Sequence, residues 1–205
     1  MQADTPTVTT VGVEHKSRAL STLVTAFAAD PFVRWLFPDA EIFLNNAALG
    51  FENFGGQAFH TASAYQISDF AGVALWIRPG TEADDGAFSE LLLRTVAEGR
   101  LPEVGQAFAQ IEDFHPKEPH WYLPLIGVDP GHQGRGLGAQ LMKHALARCD
   151  ADGLPAYLES SNPANISLYE RFGFEVIGKI QTESSPPMHP MWPVSYTHLT
   201  LPTIV

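Results

Sequence analysis

The chain has 205 residues, 45% of them hydrophobic, which suits a single globular domain with a packed core. Its formal net charge of −11 argues against a nucleic-acid partner, because lysine and arginine supply affinity for phosphate backbones, and it is compatible with a cationic substrate. A single cysteine argues against disulfides, and the scattered histidines argue against a metal site. The sequence has no signal-peptide pattern and no apolar run of the about 20 residues that a membrane span needs. We therefore expect a cytoplasmic protein.

The N-terminal half is predicted to be mainly helical. Apolar residues at helical spacing predict a first helix over 17–29, which Asp30 and Pro31 end. β-Branched and aromatic residues predict two strands before a turn at Arg78. In chain order the further predicted elements are an aromatic segment at 32–38, a helix at 41–59, strands at 64–67 and 72–77, and helices at 84–99 and 102–114.

The C-terminal half alternates between strands and helices. A strand over 121–128 is predicted to end at Asp129 and Pro130, and an amphipathic helix over 136–149 follows. The remaining predictions are a strand at 156–158, a helix at 164–171 and a strand at 174–180. Residues 194–205 read like translated cloning sequence, so we predict a single domain over 1–193 with a non-native tail.

A glycine cluster lies where the strand over 121–128 gives way to the helix. Glycines allow close backbone approach, and the first turn of a helix presents free N–H groups to an anion. The spacing does not fit the dinucleotide fingerprint, and no lysine follows Gly136 as a P-loop requires. Gln133, Gly136 and Gly138 instead match the pattern Q/R-x-x-G-x-G/A, which resembles the pyrophosphate loop of the GNAT acetyltransferases.

A second segment, from 158 to 174, resembles the other hallmark of that family: a strand, an asparagine turn, a helix with a tyrosine, and then Gly-Phe. An asparagine can bond the amides of a pantetheine arm, and the phenol of Tyr169 can donate a proton to a departing thiolate. Both Asn162 and Asn165 stand in the turn, so either could contact the cofactor.

The resemblance spans roughly residues 10–185. It implies an α/β fold with a mixed, mostly antiparallel central sheet, a splayed strand pair and flanking helices. It also implies direct acetyl transfer from acetyl-CoA to an amine, without a metal, and it leaves a homodimer open. The residues expected to hold the cofactor are Ile126, Val128, Gln133, Gly134, Arg135, Gly136, Leu137, Gly138, Ala139, Asn162 and Asn165.

The reaction needs a base, because an amine is mostly protonated at pH 7 and cannot attack in that form. Glu159 is the first candidate, since it lies in the strand beside the expected cofactor site. His120 and the pair Glu112 and Asp113 are the next candidates. We expect Tyr169, Glu159 and His120 to form the catalytic group.

The acceptor is expected to be a small cationic amine. Residues 82–118 hold nine acidic and three basic side chains, which would suit an aminoglycoside antibiotic. Within the family, the text is most similar to the puromycin N-acetyltransferase type, which suggests an amine with an aromatic part. The expected substrate-binding residues are Asp30, Phe32, Trp35, Glu112 and Asp113. Acetylation of a protein or peptide, and an acyl-CoA sensor without turnover, are the further alternatives.

Overall fold

In the computed structural model, which describes residues 7–81 and 85–194, a seven-stranded sheet forms the centre of the fold. Its strands lie in the order β1-β2-β3-β4-β5-β7-β6, and every pair is antiparallel except β4 and β5. The strands are β1 (Val8–Thr10), β2 (Ala64–Ile67), β3 (Gly72–Ile77), β4 (Trp121–Val128), β5 (Ala156–Ser160), β6 (Phe174–Val176) and β7 (His189–Pro193).

Seven α-helices in the described residues flank the sheet, with short 3-10 turns between several elements. None of the described helices is both long and apolar enough to cross a bilayer. The helices are α1 (Lys16–Ala26), α2 (Pro31–Leu36), α3 (Ala40–Gly55), α4 (Asp85–Thr95), α5 (Leu101–Phe114), α6 (Leu137–Asp152) and α7 (Ile166–Glu170).

Two hydrophobic cores lie on opposite faces of the sheet, because successive side chains of a strand point to opposite sides. On β3, Val73 and Leu75 pack with α1, α3 and α4, whereas Ala74 and Trp76 pack with α6 and α7. Each large aliphatic side chain buried in this way contributes about 1.5–3 kcal/mol. A smaller cluster joins α2 and α5 to the segment before β7 through Phe32, Ala107, Ile111, Ile180 and Met188.

The two parallel strands at the centre separate part of the way along their length. β4 pairs with β5 only from Trp121 to Leu123, although both strands continue beyond that point. The next residue of β4 is Pro124, which has no N–H to donate to a ladder. On its other side, β4 is irregularly paired with β3 between Leu75 and Ile77. The proline therefore accounts for the opening between β4 and β5, which places a cleft at the centre of the molecule.

Several predicted elements differ from the structure. The first helix was predicted to run to Ala29 and stop at Asp30 and Pro31, but it ends at Ala26. Asp30 and Pro31 instead begin α2: the Asp30 carboxylate accepts a hydrogen bond from the Val33 N–H at 3.0 Å, and Pro31 occupies the first turn, where its missing N–H costs nothing. The predicted helix over 41–59 ends at Gly55 and continues as a 3-10 turn. The predicted strand over 174–180 ends at Val176, and β7 was not predicted.

Two predictions lie partly or wholly outside the described residues. The acidic residues Glu82 and Asp84 fall in the undescribed segment 82–84, and of the predicted tail only Val194 is described.

The predicted helix over 164–171 begins as a 3-10 turn at Pro163–Asn165 and becomes α7 at Ile166.

Candidate functional site

The glycine loop between β4 and α6 presents its backbone to an open space. Gly134 and Gly136 have φ angles of +74° and +75°, a conformation that side chains with a Cβ rarely adopt. Apart from the adjacent residues, no atom of the described chain lies within 4 Å of where a Cβ would stand at either glycine. Gly136 is the residue before the first turn of α6, so the N–H groups at the start of this 16-residue helix point out of the loop. This arrangement can bind an anion.

A cavity of about 740 Å³ extends from this loop into the opening between β4 and β5. The loop forms one side of it, Ile126 to Val128 form the back, and the turn after β5 forms the other side. Ten of the eleven predicted cofactor residues line it: Ile126, Val128, Gln133, Gly134, Gly136, Leu137, Gly138, Ala139, Asn162 and Asn165. Arg135 is exposed and does not line the cavity; its guanidinium donates to the Gly131 carbonyl at 3.3 Å.

Tyr169 and Asp30 line the inner part of the same cavity. Tyr169 is 5% exposed, and its burial together with the nearby Asp30 carboxylate raises the pKa of the phenol, which keeps the hydroxyl protonated at neutral pH. Asp30 also accepts a hydrogen bond from the Ser161 hydroxyl at 2.6 Å. Burial raises the pKa of Asp30, and the bonds from Ser161 and Val33 oppose that shift. Asp30 thus ties the start of α2 to the end of β5.

A narrow apolar throat adjoins the cofactor cavity, with Phe27 lining both. The throat has a volume of about 80 Å³, and Glu159 is the one carboxylate among its lining residues. Eight of the described lining residues are aromatic: Phe27, Phe32, Phe37, Phe51, Phe54, Phe88, Phe108 and Tyr122. A carboxylate in such surroundings is unusual, because transfer of an isolated charge into an apolar site is costly.

The surroundings of Glu159 perturb its acidity. Burial raises the pKa of the carboxyl to about 7, while the neighbouring phenols of Tyr122 and Tyr157 oppose the shift and the Glu112 carboxylate adds to it. Among the described residues, neither Glu159 Oε1 nor the Tyr157 hydroxyl has a hydrogen-bond partner, although both atoms are buried. A carboxyl with a pKa near 7 exchanges a proton readily at neutral pH, which is what a general base requires.

Beyond the throat lies a wider outer chamber of about 850 Å³ between β3, β4, α4 and α5. Phe54, Phe88, Phe108 and Tyr122 line both spaces, so the throat opens into the chamber. Among the described residues, the charged side chains that line the chamber balance, with Glu112 and Glu118 against Arg78 and Lys117.

Two histidines on the chamber wall pack against each other. The Nε2 atoms of His115 and His120 are 3.1 Å apart, and burial together with His120 lowers the pKa of His115 to about 4. His120, a predicted catalytic residue, therefore lies at the outer chamber and not in the throat.

The predicted substrate-binding residues do not all meet. Phe32 lines the throat, Asp30 the cofactor cavity and Glu112 the chamber, but Trp35 and Asp113 line none of these three spaces. Trp35 instead donates its indole N–H to the Ser184 hydroxyl at 3.0 Å and stacks under the Arg100 guanidinium. Asp113 is exposed. No group of three or more histidine, cysteine or acidic side chains that could hold a metal ion occurs in the described part of the chain.

Sequence reasoning missed the two tyrosines beside Glu159. Tyr122 and Tyr157 are direct partners in the parallel β4–β5 register, and their rings stack at 6.0 Å. Ser161 and Phe27 were missed as well, although both line the throat. A pairing of the two predicted strands in parallel register would have brought Tyr122 and Tyr157 together. The residues that lie beside Phe27 and Ser161 in the fold are far from them in the sequence, so no local sequence pattern pointed to either residue.

Comparison with known sequences finds relatives of this chain. The model of the acetyltransferase (GNAT) family matches residues 85–174, which include the glycine loop and Tyr169. An uncharacterized N-acetyltransferase of Schizosaccharomyces pombe is 32% identical over 180 residues, which cover 80% of this chain and 72% of that protein. The mycothiol acetyltransferase of Streptomyces avermitilis is 41% identical over only 63 residues, which cover 29% of this chain and 20% of that protein.

A solved structure agrees with the fold over nearly the whole chain. The crystal structure of a histone acetyltransferase HPA2 and related acetyltransferase from Corynebacterium glutamicum superposes with a TM-score of 0.64 at 28% sequence identity. The match covers 97% of this chain and 99% of that one.

Proposed function

Since the chain belongs to the GNAT family of N-acetyltransferases, which use acetyl-CoA, we propose that it transfers an acetyl group to the amine of a small molecule with an apolar or aromatic body. The observation that carries this proposal is the position of Glu159: a perturbed carboxyl in an aromatic throat that adjoins the cofactor cavity. An amine that enters the throat meets a base at one end and the acyl donor's cavity at the other.

The cofactor cavity suits acetyl-CoA. The N–H groups at the start of α6 and the loop at Gly134 and Gly136 would hold the pyrophosphate, since they present donors and no side chain at those two glycines. The open edge of β4 at Ile126 and Val128 would hold the pantetheine arm, because β5 no longer pairs with it there. When bound, acetyl-CoA supplies the activated acetyl group.

Asn165 is the better of the two asparagine candidates for contact with the cofactor. The Asn162 side chain already accepts a hydrogen bond from the Ala164 N–H at 3.0 Å and begins the turn before α7. The side chain of Asn165 makes no such cap, and it lies on the cavity wall. We therefore assign the cofactor contact to Asn165 and a structural role to Asn162.

Glu159 and Tyr169 divide the proton transfers between them. Glu159 removes a proton from the incoming amine, which frees the lone pair for attack. Tyr169 lies on the cofactor side and has a raised pKa, so its hydroxyl can give a proton to the departing sulfur. The two residues line different cavities, and each faces the reactant that its role requires.

The lining of the throat and chamber favours an acceptor with an aromatic body. An aminoglycoside would need several carboxylates around it, but of the acidic residues in 82–118 that are described, only Glu112 and Glu118 line the chamber, and Arg78 and Lys117 offset them. Glu103 is tied instead to Thr182 and Ser184. The aromatic wall fits a puromycin-like or other arylalkyl amine better, because apolar surface gains free energy when it leaves water.

Peptide acetylation is the second candidate, and the name of the Corynebacterium protein supports it. A throat of about 80 Å³ can admit a lysine side chain, and the chamber can take flanking residues. The sensor alternative predicts cofactor binding without turnover. A sensor of this kind would have no use for a base such as Glu159.

The test is release of free thiol from acetyl-CoA by the purified full chain. The acceptors are puromycin, phenethylamine, kanamycin, spermidine and a lysine-containing peptide. We expect the two aromatic amines to give the highest kcat/KM. Faster turnover of kanamycin would restore the aminoglycoside prediction, and faster turnover of the peptide would favour the second candidate. If no amine is acetylated but CoA still raises the melting temperature, the acyl-CoA sensor without turnover would be the supported alternative.

A further inference from the structure

A polar cluster on the outside of α2 and α5 joins two walls of the throat. Ser184, in the loop between β6 and β7, donates its hydroxyl hydrogen to the Glu103 carboxylate of α5 at 2.8 Å. The same hydroxyl accepts the indole N–H of Trp35, on α2, at 3.0 Å. None of these three residues lines the cofactor cavity, the throat or the chamber. One hydroxyl therefore links the two helices from outside the site.

Glu103 is the charged centre of this cluster. Its carboxylate also accepts the Ser184 N–H at 2.6 Å and the Thr182 hydroxyl at 2.7 Å. These bonds, with that of the Ser184 N–H foremost, lower the pKa of the carboxyl, so Glu103 is ionised at neutral pH. Hydrogen bonds to an ionised acceptor are shorter and stronger than those between neutral groups. The bonds of Glu103 therefore hold Ser184 firmly against α5.

Two further contacts strengthen the connection between α2, α5 and the loop. Arg100, directly before α5, donates to the Trp35 carbonyl, and its guanidinium lies 5.1 Å from the centre of the Trp35 ring. Gln110 of α5 exchanges two hydrogen bonds with the backbone of Gln181, at 3.0 and 3.3 Å. The loop is thus fastened to α5 at Glu103 and again about two turns further along the helix.

The inner sides of the same elements form part of the throat. Phe32 of α2 and Phe108 of α5 both line it, and their rings meet edge-on with the centres 6.3 Å apart. Met188, at the end of the loop, lines it too and packs with Phe32 and Ile111. Contacts between apolar side chains have no preferred direction. The directional bonds that fix α2 relative to α5 are therefore those of the outer cluster.

We propose that Glu103 is a positioning residue for the acceptor: through Ser184 and Trp35 it holds α2 against α5, and so it sets the width of the throat that receives the amine. This inference rests on the proposed function. Glu103 touches neither the amine nor the cofactor and takes no part in proton transfer. Its loss frees α2 to move away from α5, whereas Glu159 stays in place because it belongs to β5.

The experiment compares Glu103→Ala with the wild type in steady-state acetyl transfer to the amine that the wild type uses best. We expect the KM for the amine to rise about tenfold and kcat to change less than about twofold, because binding contacts are lost and the reacting groups are kept. The dissociation constant of CoA should not change. Glu103→Gln keeps an oxygen that can accept from the Ser184 N–H, so it should recover most of the wild-type KM. Glu90→Ala removes an exposed carboxylate of α4 and should have no effect.

A double-mutant cycle tests the route through Ser184. Ser184→Ala removes the hydroxyl that joins Glu103 to Trp35, so it should also raise the KM for the amine. Residues that act through one shared contact have non-additive effects. The double variant should therefore have about the same KM as Glu103→Ala alone. Additive increases would mean that the two residues act independently, which contradicts the proposed link.

An unchanged KM for the amine in Glu103→Ala would overturn the proposal. Loss of stability alone gives less active protein, which lowers the apparent kcat and leaves the KM unaltered, so that result counts against the proposal as well. If Glu103→Ala does not fold, Ser184→Ala decides the matter by the same two constants. A wild-type protein that acetylates no amine would instead overturn the proposed function, and the positioning role with it.

Discussion

The cofactor cavity and the acceptor throat meet at Phe27, yet they are built in opposite ways. The cavity centres on the loop before α6, where Gly134 and Gly136 leave the backbone bare of side chains, and it is completed by β4, the turn after β5 and the segment 26–30. The throat is lined by residues of helices α2 to α5 and of strands β4 and β5, and by Phe27, which follows α1. Backbone groups are common to all sequences that adopt the loop conformation, whereas side chains can change one at a time. On the proposed function, we therefore expect the cavity to keep one ligand while the throat determines which amine enters.

The strongest test of the comparison is a charge placed in the backbone-built cavity. Gly136→Asp should abolish acetyl-CoA binding, by more than about a thousandfold, because a carboxylate would face the pyrophosphate and an aspartate is strained at φ +75°. Isothermal titration with CoA measures the effect. Gly138→Ala is the matched control: an added Cβ would meet only ordinary contacts at 3.7 and 3.8 Å, so binding should be kept. Normal affinity in Gly136→Asp would place the pyrophosphate elsewhere.

A neutral isostere in the throat should act on chemistry and spare the cavity. Glu159→Gln is expected to lower kcat/KM about a hundredfold with CoA affinity unchanged, because it removes the base. The wild-type rate should fall below pH 7, where a carboxyl with a pKa of about 7 takes up its proton, and should level off above it. The variant should lack this pH dependence. A pH profile of kcat/KM that is the same in both proteins would contradict the role of Glu159.

Removal of one hydroxyl tests the boundary between the two regions. Tyr169→Phe should lower kcat about tenfold and leave the dissociation constant of acetyl-CoA near wild type, since the ring still packs and only the proton donor is lost. Single-turnover kinetics with saturating acetyl-CoA measure the chemical step. Tyr65→Phe is a control, because Tyr65 is equally buried on the same face of the sheet but lines neither space. Full activity in Tyr169→Phe would remove it as the acid.

The smallest effect is expected where one aromatic of the wall is shortened. Phe88→Ala should raise the KM for an aromatic amine about fivefold, through lost apolar contact, and should leave spermidine nearly unchanged. Steady-state kinetics with both amines give the ratio. Leu44→Ala, on the exposed face of α3, should affect neither. An equal rise in the KM for both amines would mean that the throat wall acts through general packing and does not distinguish between acceptors.

The same contrast explains how far the sequence could be read. The cofactor cavity follows from two local motifs, because the order strand, glycine loop and helix already fixes where the N–H groups of Gly136 and Leu137 point. The throat brings together Phe27, Phe88 and Glu159, which are far apart in the chain, and no local pattern joins them. The short β7 was missed because Pro190 and Pro193 argue against a strand, although its neighbours in the sheet supply the pairing.

Trp35 is a residue whose contacts the sequence did not predict. Its aromatic ring and position beside Phe32 made a substrate contact a reasonable expectation, but the turn of α2 directs it toward Ser184 and Arg100. Side-chain direction in a six-residue helix depends on what packs against it, and that information is absent from the local sequence.

The short parallel ladder between β4 and β5 also bears on how the protein comes apart. Three residue pairs of the ladder form the seam between β1 to β4 on one side and β5 to β7 on the other, and the core that contains Trp121 and Leu158 packs across it. A ligand in the cofactor cavity would touch β4 on one side of the seam and Asn165 on the other. At a hundred times its dissociation constant it would oppose separation by about 2.7 kcal/mol. We therefore expect CoA to slow amide hydrogen exchange throughout β5 and β7, including residues that it does not contact.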